Sequence, residues 1–195
     1  IADNNCSDTI TQEVIIEGPT SDFTFLSPTC EESGNTFTYV GNASDTAQYT
    51  WNFSSGDIAS ANSKGPHNVT WDNQGEYEVS LHVVDNECFS FSVDTIVVMP
   101  LPTSDFELVS PVCVKENSLV EYTGDASEDD IYLWNFKGGN ATKISGELEN
   151  YNVYWNSSGT YNVSLVVTNS EYGCVSYPTE VPMVIMPLPN PKFTP

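Results

Sequence analysis

The sequence predicts an all-β chain of tandem β-sandwiches, and three observations predict it. A block of about 83 residues occurs twice, and short apolar runs alternate with polar residues at period 2. Turn residues separate those runs, and no window of helical period lies between them.

The repeat is read directly. Pro19-Thr20-Ser21-Asp22-Phe23 returns as Pro102-Thr103-Ser104-Asp105-Phe106, and at the same offset Ser27-Pro28 becomes Ser110-Pro111, Cys30 becomes Cys113, and Trp51-Asn52-Phe53 becomes Trp134-Asn135-Phe136. Trp71 matches Trp155, Cys88 matches Cys174, and Met99-Pro100-Leu101-Pro102 matches Met186-Pro187-Leu188-Pro189. Cys6 through Pro19 resembles Cys88 through Pro102. The expected organisation is therefore the end of one repeat over 1–18, whole repeats over 19–101 and 102–188, and the start of another over 189–195.

Each repeat reads as about seven short strands, the pattern of a sandwich. Tyr49, Trp51 and Phe53 share one strand face, as do Tyr132, Trp134 and Phe136. Val69 with Trp71, and Val153 with Trp155, give a further strand whose period-2 spacing points both tryptophans into the core. Tyr77, Val79, Leu81 and Val83 alternate with polar residues, and Tyr161, Val163, Leu165 and Val167 repeat them. Phe91, Val93, Thr95 and Val97 form the closing alternation. Pro100 and Pro102 fix φ and remove two donors, which predicts a semi-rigid joint between repeats.

Composition excludes several partners. The chain has 195 residues with 27 Asp plus Glu against 5 Lys plus Arg, a formal net charge of −22. Nucleic-acid binding requires clustered cations, and an anionic membrane surface would repel this chain. No apolar run approaches the ~18–20 residues of a spanning helix, so this segment is expected to insert in no membrane. Aromatic residues make up 12% of the chain, more than a disordered acidic tail carries.

Trp51-Asn52-Phe53 followed by Gly56-Asp57, Trp134-Asn135-Phe136 followed by Gly138-Gly139, and the Gly-x-Tyr-x-Val-x-Leu-x-Val runs at Gly75–Val83 and Gly159–Val167 resemble the PKD domain. Asn stands where that family's Trp-Asp-Phe run has Asp. With the Pro-Leu-Pro linkers and added cysteines, the chain is similar to PKD-like arrays of giant Bacteroidota cell-surface proteins, such as gliding adhesins and other type IX secretion cargo. The resemblance implies immunoglobulin-like sandwiches, an extracellular or cell-surface location and no catalysis.

Two cysteines per repeat in a small, secreted-looking domain read as one intradomain disulfide each, Cys30–Cys88 and Cys113–Cys174, with reduced thiols the alternative. Cys6 is then expected to pair with a cysteine upstream. On the chain-entropy picture each such loop is worth roughly 4 kcal/mol. No Cys-x-x-Cys or Cys/His cluster of zinc-binding spacing occurs.

The acidic surplus reads first as a solvated coat that keeps the chain extended. No cofactor is required by this reading. The sharper alternative is Ca²⁺, with Asp125, Glu128, Asp129 and Asp130 the densest candidate ligands, although EF-hand spacing is absent. Asn-x-Ser/Thr occurs at Asn5, Asn42, Asn52, Asn68, Asn140, Asn156 and Asn162. Asp-Ser/Thr followed by a small or aliphatic residue resembles the Bacteroidota O-glycosylation site, which makes Thr9, Thr46 and Thr95 candidates.

His67 and His82 lack counterparts in the other repeat, and no singular catalytic constellation is visible. Tyr77 and Tyr161 are read as tyrosine corners. The expected role is a non-enzymatic, disulfide-stapled spacer in surface adhesion or motility. Its partners would be neighbouring repeats, and surface polysaccharide or like chains in a filament. The alternative is a polysaccharide-binding accessory module of a large secreted hydrolase.

Overall fold

Period-2 patterning, β-branched and aromatic residues and frequent turn residues produce strands throughout. The computed structural model describes residues 10–12, 18–146 and 148–191, and among them there are sixteen strands and no helix. The first repeat contributes β1 (Phe23–Thr24), β2 (Thr29–Cys30), β3 (Asn35–Tyr39), β4 (Gln48–Asn52), β5 (Ser60–Ala61), β6 (His67–Val69), β7 (Gly75–Asp85) and β8 (Cys88–Met99). The second contributes β9 (Phe106–Leu108), β10 (Val112–Cys113), β11 (Ser118–Tyr122), β12 (Ile131–Asn135), β13 (Asn140–Lys143), β14 (Tyr151–Tyr154), β15 (Gly159–Thr168) and β16 (Thr179–Met186).

The first repeat's strands form sheets β1-β3-β6 and β2-β8-β7-β4-β5, and the second's form β9-β11-β14-β13 and β10-β16-β15-β12. These are tandem immunoglobulin-like sandwiches. Each repeat has eight strands rather than about seven because its first run is divided. β1 pairs antiparallel with β3, whereas β2, just past Pro28, pairs parallel with β8 through Thr29↔Val98 and Cys30↔Met99. Pro111 divides β9 from β10 in the same way, with Val112↔Ile185 and Cys113↔Met186. Proline cannot donate to a ladder, so the chain changes sheets there.

Contacts group the described residues into two compact units. One comprises the described residues of Ile1–Phe25 with Thr36–Val69 and Glu78–Thr95; the other comprises Leu26–Asn35, Thr70–Tyr77 and the described residues of Ile96–Pro195.

Within the first unit, Phe37, Trp51, Phe53, Val69, Val79, Leu81 and Val83 are fully buried. Trp51 stacks on Phe53 at 5.5 Å between ring centroids, and Phe23 meets Trp51 edge-on at 5.3 Å. Within the second unit, Trp134 stacks on Phe136 at 5.4 Å over buried Val153, Val163, Leu165, Val167 and Met183. Here too Trp71 and Trp155 are each 1% exposed and stack on Tyr77 and Tyr161. Both tryptophans are core residues, as their spacing predicts.

One alternation runs opposite to expectation. On β8 the buried residues are Ile96 and Val98, while Phe91 and Val93 are exposed. The physical reason is Ser21, which is 1% exposed and hydrogen-bonds Ser90 at 2.9 Å and Ser92 at 2.6 Å. A buried hydroxyl requires partners, so the serines turn inward and the aromatic residues of that stretch turn to solvent.

Candidate functional site

The two repeats share a scaffold of tyrosine hydroxyls. Tyr39 Oη donates to Thr20 O at 2.9 Å and accepts from Ala43 N at 2.8 Å; Tyr122 Oη donates to Thr103 O at 2.8 Å and accepts from Ala126 N at 2.9 Å. Tyr49 and Tyr132 donate to the carbonyls of Ser44 and Ser127. Burial pushes the phenols of Tyr49, Tyr122 and Tyr132 above their ordinary range, which keeps each a neutral donor. Tyr77 donates to Asn73 O at 2.8 Å and Tyr161 to Ser157 O at 3.0 Å, so the expected tyrosine corners are present. The Tyr39 and Tyr122 clamps were not anticipated, although the repeated Tyr-x-Gly-Asn/Asp-Ala-Ser run is their sequence signal.

The turn after each Trp-Asn-Phe strand explains the asparagine. Asn52 Oδ1 accepts from Ser54 N at 2.9 Å, and Asn135 Oδ1 accepts from Lys137 N at 3.0 Å. Ser54 and Lys137 both have positive φ, 54° and 50°. An amide oxygen fills the acceptor role a carboxylate would fill, without adding charge.

The acidic candidates do not assemble. Asp125 Oδ1 accepts from Thr103 N at 2.8 Å and Thr103 Oγ1 at 2.9 Å, the place taken in the first repeat by Asn42 Oδ1 on Thr20 N. Asp130 caps Ser127 through Oδ2, and through Oδ1 accepts from Ser170 N at 2.8 Å and Asn169 Nδ2 at 3.2 Å. Glu128 and Asp129 are exposed. Among the described residues no group of three or more His, Cys, Asp or Glu could hold a metal ion, which corrects the Asp125–Glu128–Asp129–Asp130 expectation. Asp125 and Asp130, near in sequence, are spent on donors of different segments, Thr103 for one and Ser127 with Ser170 for the other.

A second polar cluster was not foreseen. Glu149, 9% exposed, accepts from Trp134 Nε1 at 3.1 Å, Tyr151 Oη at 2.8 Å and the Lys143 ammonium. Burial and the Glu149 hydrogen bond push the Tyr151 phenol up to about 12. In the first repeat the equivalent indole, Trp51 Nε1, donates to Ser63 O at 3.0 Å. The same indole N–H is satisfied in both repeats by different acceptors, which marks Glu149 as a structural partner of the tryptophan.

The cysteines depart most from expectation. Cys30 is bonded to Cys174 across a sequence separation of 144, with Cα atoms 5.5 Å apart, while Cys88 and Cys113 are free. The expected Cys30–Cys88 and Cys113–Cys174 pairs are thus replaced by one bond between repeats. Cys88 opens β8 after a two-residue turn, Asn86-Glu87, whose φ values of 48° and 70° are those of a tight hairpin. There it is exposed.

Both partners of the bond lie in the second compact unit, and each is held from several sides. Around Cys30, Glu31 N donates to Met99 O and Glu32 N to Trp71 O, both at 2.9 Å. Glu31 carboxylate oxygens accept from Gln74 N and Leu101 N. Around Cys174, Asn169 N donates to Cys174 O at 2.8 Å and Gly173 N to Asn169 O at 2.9 Å. Gly173 has φ 74°, which glycine adopts at little cost. Asp130 grips the same loop through Ser170 and Asn169. Tyr177 Oη donates to the Glu32 carboxylate two residues beyond Cys30.

Candidate modification sites are open to solvent where they are described. Thr46 and Thr95 are exposed, as are Asn42, Asn52, Asn68, Asn140, Asn156 and Asn162. Thr9, Cys6 and Asn5 lie outside the described residues.

The PKD domain family model matches residues 15–88. That span holds β1 through β7, including Trp51-Asn52-Phe53 and Gly75–Val83, the residues that the second repeat carries again. No curated protein matches the chain. Among solved structures, an I-band fragment of titin, I67–I69, is 12% identical with a TM-score of 0.45, over 89% of this chain and 66% of the fragment. Fibronectin(III)-like modules of Clostridium thermocellum CbhA are 15% identical at 0.38, over 89% of this chain and all of theirs. The D00–D0 domain of intimin is 12% identical at 0.37, over 80% and 95%. PKD and immunoglobulin-like domains commonly serve as non-enzymatic structural or adhesion modules and are typical of extracellular proteins. Among the described residues no helix is long and apolar enough to cross a membrane.

Proposed function

We propose that this chain is a non-enzymatic, extracellular spacer of the cell surface whose two repeats are tied by a disulfide, serving in surface adhesion or motility of the gliding-adhesin type. The observation that carries the reading is the Cys30–Cys174 bond. It closes a loop of 144 residues, and the segment between its ends contains most of both repeats. Tension applied at the chain ends passes through the sulfur bridge and bypasses that segment. At ~3.5 Å per extended residue, about 500 Å of contour stays hidden while the bridge is intact. The buried tyrosine clamps hold the segments that enter each sandwich, and the net charge of −22 keeps neighbouring chains apart. Threonines such as Thr46 and Thr95 are open to glycosylation, and neighbouring repeats are the first partners.

Force–extension of the chain held at its two ends tests this reading. The expected result is a short extension when oxidised and about 500 Å more after reduction. Equal extension in both states contradicts it.

A second reading has its own observation. Phe89 and Phe91 are 73% and 60% exposed on β8, with ring centroids 5.9 and 6.5 Å from that of His82. Exposed rings side by side form a sugar-stacking platform, as a polysaccharide-binding module of a larger hydrolase requires. Retention on insoluble polysaccharide, lost in Phe89→Ala/Phe91→Ala, supports it; absence of retention removes it.

A further inference from the structure

Cys113 is a structural copy of Cys30. Each ends a two-residue strand paired parallel with the last strand of its repeat, Cys30 opposite Met99 and Cys113 opposite Met186. Each strand follows a Ser-Pro dipeptide whose serine hydroxyl accepts a backbone N–H from that last strand, Val97 N to Ser27 Oγ at 3.1 Å and Val184 N to Ser110 Oγ at 3.0 Å. Beyond the cysteine, Val114 N donates to Met186 O at 3.0 Å and Lys115 N to Trp155 O at 2.9 Å, as Glu31 N and Glu32 N do to Met99 O and Trp71 O. Lys115 and Glu32 both have positive φ, 66° and 57°. Cys88 in turn is the sequence counterpart of Cys174, reached from Val83 as Cys174 is from Val167 by a connection two residues shorter.

The bond in the structure thus joins a Cys30-type position of one repeat to a Cys174-type position of the other, and among the described residues leaves one position of each type unused: Cys113 and Cys88. We infer that Cys113 and Cys88 are the two half-sites of this same cross-repeat disulfide, and that each is completed by another copy of the repeat, Cys113 taking a Cys174-type cysteine and Cys88 a Cys30-type one. The partner is defined by complementarity of type, so the linkage is head-to-tail and propagates along a row of repeats. It rests on the spacer reading and names the bond that would join its neighbouring repeats, a bond that needs oxidising surroundings.

The step balances with a disulfide as oxidant. The Cys113 thiolate attacks one sulfur of oxidised glutathione and expels one glutathione thiolate; Cys88 of a second copy, as thiolate, attacks the Cys113 sulfur and expels the other. Two protein thiols lose two electrons and two protons, and one glutathione disulfide becomes two thiols.

The test uses the 195-residue chain carrying Cys6→Ser, which removes a competing thiol, incubated at high concentration with oxidised glutathione. Non-reducing electrophoresis is expected to show a ladder whose junction peptides, by mass spectrometry, are Cys113–Cys88, with Cys30–Cys174 still closed. Adding Cys88→Ser or Cys113→Ser is expected to abolish the ladder, and a mixture of the two variants to stop at dimers. Predominant Cys88–Cys88 or Cys113–Cys113 junctions, a ladder that survives either substitution, or no ladder at all would overturn the inference. The spacer reading stands or falls separately, on force–extension of the single chain.

Discussion

The Cα atoms of Cys30 and Cys174 stand 5.5 Å apart although 144 residues separate them in sequence, and a disulfide joins them. Closing a loop of that length removes more unfolded-state entropy than either within-repeat pair would, about 5 kcal/mol on the chain-entropy picture against about 4. Cys30→Ser and Cys174→Ser are each expected to lower the melting temperature measurably by calorimetry, and the double variant to lower it no further than the worse single one. Additive losses would show that the two residues act separately.

Tyr39 and Tyr122 each make two hydrogen bonds through one hydroxyl, and the N–H each accepts belongs to a buried alanine. Tyr39→Phe and Tyr122→Phe keep the ring and orphan that donor, so each is expected to cost about 1–3 kcal/mol in chemical denaturation. A change below ~0.5 kcal/mol in both would show that water replaces the hydroxyl.

Gly41 is required by proximity. A Cβ there would lie 2.6 Å from Thr20 O and 2.6 Å from Thr20 Oγ1, and against the Tyr39 hydroxyl. Gly124 stands equally close to Thr103 Oγ1 and the Tyr122 hydroxyl. Gly41→Ala must move backbone, and a loss of about 1–3 kcal/mol is expected, comparable with overpacking a core. Combined with Tyr39→Phe the two losses should be less than additive, because both act on one clamp.

Asp130 couples acidity to the loop that carries Cys174. Burial raises its carboxyl pKa, but hydrogen bonds from Ser170 and Ser127 outweigh this and leave it below the ordinary carboxylate value. A pKa lowered in the folded state gives stability that is present above the unfolded value near 4 and is lost as pH falls through the folded value. Wild type is therefore expected to lose stability below about pH 4 more steeply than Asp130→Asn. Identical acid-denaturation profiles would show that Asp130 does not brace the loop. The same carboxylate is occupied by protein donors, so CaCl₂ is expected to leave the melting temperature unchanged.

Much of this fold was legible because two copies report on each other. Trp51, Trp134, Val79 and Val163 declare their strands by period and their equivalence by offset. The β8 face was not legible, because the alternation Phe91-Val93 is as apolar as Ile96-Val98, and only buried Ser21 decides between them. The cysteine pairing was not legible either. Spacing shows that each repeat has two cysteines, and a within-repeat and a between-repeat bond satisfy that count equally. Asp125 and Asp130 look like a ligand cluster in one dimension, but Thr103 and Ser170 draw them to separate backbone donors.

The most direct test of the account is the cysteine connectivity of the oxidised chain. Proteolysis without reduction, with free thiols alkylated first, is predicted to yield a mass-identified peptide pair linking Cys30 to Cys174, with Cys88 and Cys113 alkylated in the monomer. Recovery of Cys30–Cys88 together with Cys113–Cys174 would contradict it and leave each repeat stapled only to itself.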